Sequence, residues 1–217
     1  MSHITLIRHG QANSEARDEA SYDRLSPLGH QQSEWLGTYL RANGPSHPRL
    51  FCGTLTRHIE TARGMALPGE VIRDARLNEL EYFDLAQLME AQHGLPIPDD
   101  REGFIAHLPA VFAAWAEGRI DNPPETFDAF ETRVSAALSE IADGPGPALV
   151  VTSGGLISMV LRQVLRLDTD AMAHMALAIM NTSMHRLFPI GPRLAPVLFN
   201  AVPHLDAPDR QFAQTHL

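Results

Sequence analysis

The chain has 217 residues, 44% of them hydrophobic and 20% charged, with a formal net charge of −9 and one cysteine. That length can bury a core of its own, and the composition excludes general disorder, so one α/β domain with room for an inserted subdomain is expected. The acidic balance argues against nucleic acid as the main partner, and a lone cysteine excludes an internal disulfide framework or a four-cysteine zinc site. No apolar run approaches the ~20 residues of a membrane helix, and no basic-then-apolar leader precedes the first strand, so a cytoplasmic protein is expected.

In chain order, His3–Arg8 reads as a buried strand. Ser26–Ala42 reads as a helix, with Ser26 as cap, Pro27 at the first helical position and Gly44 as stop. Leu28, Trp35, Leu36, Tyr39 and Leu40 fall on one face of it. "RLFC" is a short buried strand, "GTLTRHIETARGMA" a turn and helix, and "EVIRD" another short strand. From about 85 to 142 the pattern is amphipathic helix without strand, interrupted by "GLPIPDD" and "DNPPE", and this reads as a helical insertion. "ALVVT" resumes the sheet, followed by helices over Leu156–Leu167 and Ala171–Ile179 and the final strands "SMHRLFP" and "APVLFNAV". Strands alternating with helices predict a three-layer α/β sandwich whose mostly parallel sheet is covered on both faces.

Ligands of open α/β sheets bind beyond the C-terminal ends of strands. Three such ends carry polar residues: Arg8-His9-Gly10-Gln11, the turn leading to Arg57, and Ser153-Gly154-Gly155. Arg8 and Arg57 offer planar bidentate donors suited to phosphate. Gly10 and Gly154 let backbone come close to an anion, and free N–H groups after Gly154 add the positive end of a helix dipole. Together these describe a phosphate cradle containing an imidazole.

"LIRHGQA" resembles the signature of the histidine phosphatase superfamily, the phosphoglycerate mutase-like proteins. "YDRLSPLGHQQSEWLG", "GTLTRHIETA" and "RLNELEYF" are similar to further segments of that family, in the same order. The resemblance covers most of the sheet-forming chain and implies that 1–217 is a single domain in which the insertion 85–142 is the cap. It implies a phosphatase that transfers the phosphoryl group of a small phosphorylated substrate to His9, giving a phosphohistidine, and then to water. His9 must then be neutral with one ring nitrogen free. Arg8 and Arg57 would spread the charge of the transition state. Glu79 would protonate the leaving group and then activate water, a task suited to a carboxyl of raised pKa. Gln11 and Asn13 would line the mouth, and Ser153 and Gly154 would contact the phosphate. Glu81 competes with Glu79, but the register of "LNE" favours Glu79. No cofactor is expected, and the chain lacks the longer basic cap insert expected of a phosphoglycerate mutase.

The family pattern at the third strand end is His-Gly, whereas this chain has "VTSGG". Ser153 thus stands where the resemblance implies a second histidine, and a neutral donor replaces one that can carry charge. Losing a charged donor at such a site costs ~10²–10³ in rate. Reduced hydrolysis is one consequence; the alternative is a phosphate-ligand binding or regulatory protein that kept the fold and lost turnover. His93 or His107, in the insertion, would be the residues to replace the missing cation. His58, His174 and His185 read as surface or satisfied interior groups, and no histidine spacing suits a metal. A cysteine phosphatase needs five residues between Cys and Arg. Only four separate Cys52 from Arg57, so Cys52 reads as a small buried residue.

Overall fold

Strand β1 (Ile4–Arg8) lies inside a six-stranded sheet of order β3-β2-β4-β1-β5-β6. The other strands of the sheet in the computed structural model are β2 (Arg49–Cys52), β3 (Val71–Arg73), β4 (Ala148–Thr152), β5 (Met184–Ile190) and β6 (Arg193–Ala201). The structure describes residues 3–13, 16, 18–43 and 47–216. Strands β3, β2, β4 and β1 are mutually parallel, and β5 and β6 add an antiparallel edge. The helices are α1 (Glu19–Tyr22), α2 (Pro27–Asn43), α3 (Thr56–Met65), α4 (Tyr82–His93), α5 (Arg101–Ala116), α6 (Phe127–Asp143), α7 (Gly154–Leu165) and α8 (Thr169–Ala178).

The central strands are apolar on both faces, and side-chain alternation deals their residues to two separate cores. Ile7, Leu149 and Val151 pack with Leu36 and Leu40 of α2 and with Ala62 and Met65 of α3. Ile4, Leu6, Ala148 and Val150 pack on the other side, in a larger core shared with α4–α8. The result is the expected three-layer arrangement. Ser26 does cap α2, its hydroxyl accepting from the Gly29 N–H at 3.0 Å, with Pro27 as the first helical residue. The stop expected at Gly44 lies outside the described residues.

Residues 82–143 carry α4–α6, and no strand falls among them. Their core is aromatic: Trp115 packs against Phe127 (5.1 Å between centroids), Phe130 (5.5 Å) and Phe112 (6.2 Å). The Trp115 indole N–H donates to the Glu125 carbonyl at 2.7 Å, so the ring is buried without a stranded donor. Helix α7 begins earlier than the apolar pattern predicts. Ser153 is still extended (φ −124°), but Gly154 is already helical, so the helix starts directly at the end of β4. Among the described residues, no helix is long and apolar enough to cross a membrane.

Candidate active site

Arg8 and Thr152 are register partners at the ends of β1 and β4, and the His9 N–H donates to the Thr152 carbonyl at 2.8 Å. His9 and Ser153 therefore leave the sheet side by side. The turn after β2 brings Arg57 and His58, on the first turn of α3, to the same edge. His9, Arg57, His58 and Ser153 are all buried.

The His9 ring is held by its Nδ1–H, which donates to the Gly10 carbonyl at 2.7 Å. That bond sets the tautomer and leaves the lone pair of Nε2 unprotonated. Burial, then the charges of Arg57 and Arg8, then the neighbouring His58, hold the ring's pKa well below 6.5. His9 is thus a neutral, oriented imidazole at neutral pH, as a nucleophile requires.

Arg57 is fixed by a residue that the sequence did not single out. Asp23 accepts from the Arg57 side chain (3.1 Å), from the Arg57 backbone N–H (3.2 Å) and from the Thr56 N–H (2.9 Å). It therefore caps α3 and pins its arginine at once. The guanidinium also lies over the Tyr22 ring, 4.9 Å from its centroid, and Tyr22 faces His9 edge-on at 6.3 Å. The Arg57 Nε is buried with no hydrogen-bond partner among the described residues. Arg8 directs one terminal nitrogen to two carbonyls, those of Ile179 and His216. Its Nε, also buried and unpartnered among the described residues, lies beside Gly154. Each arginine thus retains donor capacity after its structural bonds are counted.

Glu79 sits at the N-terminus of α7. Its carboxylate accepts from the Gly155 N–H at 2.8 Å and from the Leu80 N–H at 3.1 Å. A Cβ on residue 155 would come within 2.5 Å of the same carboxylate, so any side chain there would displace Glu79 from this position. The loop that presents Glu79 is gripped by Arg133 of α6, which donates to the carbonyls of Arg76 (2.9 Å), Asn78 (2.8 Å) and Glu79 (3.4 Å) while paired with Glu125. Glu81 lies at the boundary of α4 instead.

The other expected site residues are placed as follows. Gln11 accepts from the Ser26 hydroxyl (2.8 Å), and the Asn13 amide donates to the Ser21 carbonyl (3.0 Å), so both side chains brace the segment between β1 and α2. Gly10 is explained by packing rather than by an anion, since a Cβ there would collide with the Gly29 backbone. Gly154 has only ordinary contacts around the position of a Cβ. Cys52 is buried in the smaller core, and burial pushes its thiol pKa up.

His93 and His107 are committed elsewhere. His93 donates through Nε2 to the Arg119 carbonyl at 2.7 Å, and His107 bonds the Tyr82 hydroxyl at 2.9 Å. The histidine that reaches this edge is His58, 5.7 Å from His9 between ring centroids, with Nε2 at 2.6 Å from Ser153 Oγ. Its position next to Arg57 in the sequence was the available signal. Glu19, on α1, was also missed. It accepts from the Phe83 N–H at 2.9 Å, and burial, opposed by the charge of Arg57, pushes its pKa up to about 7. No group of three or more His, Cys, Asp or Glu residues suited to a metal ion occurs among the described residues.

A buried neutral imidazole flanked by arginines at parallel strand ends agrees with what sequence comparison returns. Residues 4–201 match the model of the histidine phosphatase superfamily (branch 1), and the chain belongs to that superfamily. No curated protein matches the sequence. Similar solved structures include a mutant phosphoserine phosphatase from Entamoeba histolytica in complex with phosphoserine (TM-score 0.71, 18% identity, covering 94% of this chain and 100% of that one). A phosphoglycerate mutase from Bacillus anthracis str. Sterne has a TM-score of 0.66 at 19% identity, with 94% of each chain covered. A mycobacterial glucosyl-3-phosphoglycerate phosphatase complexed with VO3 has a TM-score of 0.63 at 22% identity, covering 93% of this chain and 100% of that one. At these identities the structures share the fold.

Proposed function

We propose that this protein is a phosphatase acting on a small, cytoplasmic phosphate monoester through a phosphohistidine at His9. The observation that carries the reading is the state of His9: buried, neutral, tied through Nδ1 to Gly10 and flanked by the charges of Arg57 and Arg8. In the first step Nε2 attacks phosphorus, the P–N bond forms and the ester P–O bond breaks. The leaving alkoxide takes a proton from Glu79. In the second step Glu79 takes a proton from water, the oxygen attacks phosphorus and the P–N bond breaks, which releases inorganic phosphate and restores neutral His9. Arg57 and Arg8 hold the phosphoryl oxygens through their remaining donors, aided by the Gly154 N–H and Ser153 at the start of α7. Gln11 and Asn13 shape the approach. The segment 85–142, read as the cap of a single domain, selects the rest of the substrate.

Ser153 supplies a neutral donor in place of the second histidine that the resemblance implies, so turnover is reduced relative to a site with a charged donor there. The test is hydrolysis of p-nitrophenyl phosphate by the wild type, with His9→Ala as control. Turnover that disappears in His9→Ala, on the order of 10⁴-fold or more, is expected for a lost nucleophile. Equal turnover by the two proteins would overturn the role of His9, and no turnover by either would overturn the reading and leave phosphate binding without hydrolysis.

A further inference from the structure

Ser153 is the N-cap residue of α7, and an N-cap serine ordinarily turns its oxygen onto the helix's own N–H groups. This one does not: its side chain makes no cap bond, and the Gly155 N–H is taken by Glu79. The serine oxygen is instead held by His58, whose Nε2 lies 2.6 Å away. Both groups are fully buried. The opposite nitrogen, His58 Nδ1, faces Gly53, where any side chain would collide with it, and it has no hydrogen-bond partner among the described residues. Burial, then the charge of Arg57, keeps the ring neutral by lowering its pKa well below 6.5, so it carries one proton. A proton on Nδ1 would be a buried donor without an acceptor, whereas a proton on Nε2 meets the serine oxygen. The Nε2–H tautomer is therefore the lower in energy. In it the serine oxygen accepts from His58, and its own O–H remains to donate elsewhere. The ring stands 5.7 Å from that of His9.

We propose that His58 is a positioning residue for Ser153: its Nε2–H holds the serine oxygen so that the serine hydroxyl donates to the phosphoryl group in transit on His9. The inference takes its ligand from the phosphatase reading above. It changes what Ser153 should contribute. A serine free to rotate offers one weak neutral bond, while a serine locked by a buried imidazole is a preorganised donor aimed where charge develops.

The experiment compares wild type, Ser153→Ala, His58→Ala, His58→Gln and the Ser153→Ala/His58→Ala pair. The readouts are turnover of p-nitrophenyl phosphate and affinity for orthovanadate, a mimic of the five-coordinate phosphorus of the transition state. Ser153→Ala and His58→Ala should each lower kcat by ~10–10² with KM little changed, and should weaken vanadate binding by a similar factor. The pair should be no worse than either alone, because one interaction is lost only once. His58→Gln keeps an N–H near the place of Nε2 and should recover most of the loss. Losses that multiply in the pair, or full vanadate affinity in His58→Ala, would overturn the assignment. ¹⁵N imidazole spectra of the wild type give a readout that needs neither activity nor a variant that folds. His58 protonated on Nε2 supports the proposal, and protonation on Nδ1 overturns it. A wild type without turnover whose vanadate affinity and tautomer behave as described would refute the phosphatase reading and leave the His58–Ser153 pair standing.

Discussion

At the C-terminal edge of the sheet, His9, Arg57, His58 and Ser153 are buried together, whereas between Tyr82 and Asp143 the buried side chains are apolar apart from His107. In the helical segment Arg133 is spent on the loop before α4 and Arg119 on Glu117, while His107 Nε2 is buried without a partner among the described residues. At the sheet edge the donors are only partly spent, with Arg8 Nε and Arg57 Nε buried and unpartnered among the described residues. Burying polar groups without partners is costly, and a fold tolerates the cost where a ligand can supply the missing acceptor. The contrast separates a region that stabilises from the region proposed to bind phosphate.

Substitutions should divide along the same line. Phe112→Ala, in the aromatic core of the helical segment, removes a ring that is 1% exposed and should cost ~3–5 kcal/mol of stability. Chemical denaturation will show it, while kcat per folded molecule changes little. Arg57→Ala should do the reverse, with a fall in kcat of ~10²–10³ for the loss of a transition-state donor. A smaller loss of stability should accompany it because Asp23 loses its partner. If Phe112→Ala silences the folded enzyme, or Arg57→Ala leaves the rate intact, the division is wrong.

Arg133→Ala probes a place where the two regions meet. Freed from its grip, the loop carrying Glu79 should relax, and kcat should fall roughly tenfold, the scale of a misplaced rather than absent catalytic group. Arg133→Lys, which cannot bridge three carbonyls and Glu125 with one planar fork, should restore little.

Acid should weaken the fold through its buried histidines. The pKa values of His9 and His58 are held well below 6.5, and burial pushes those of His185 to about 3 and His204 to about 4. Below pH 6.5 the unfolded chain binds protons that the folded chain refuses, so stability present above 6.5 is lost as pH falls. Glu19, raised to about 7, has the opposite sign: its contribution is present below about 4.5 and is lost as pH rises through 7. Four histidines outweigh one carboxyl, and Tm measured from pH 7 to pH 5 should decline. The smallest effect expected is that of Glu19→Gln, which should remove an inflection near pH 7 from kcat/KM and change the plateau by only a few-fold. An unchanged profile would place Glu19 outside the chemistry.

The sheet was legible because parallel strands buried on both faces leave continuous apolar runs such as "ALVVT", and polar residues that follow such runs fall at one edge. His9, Arg57 and Ser153 could be read for that reason. Asp23 and Glu19 could not, because the segment between β1 and α2 has no periodicity to orient its side chains. His58 was visible only as a neighbour of Arg57. Its role depends on Gly53 leaving room for the ring and on Ser153 being released from helix capping, and both are facts of packing across distant parts of the chain. His93 and His107, expected from their place in the predicted cap to replace the missing cation, have their rings committed to Arg119 and Tyr82.

Trapping the covalent intermediate bears most directly on the central claim. Wild-type protein mixed with a ³²P-labelled phosphate monoester and quenched within milliseconds should carry acid-labile, base-stable label, and peptide mapping should locate it at His9. Label on Cys52 or Ser153, or turnover that proceeds with no labelled protein at any time, would contradict phosphoryl transfer through His9.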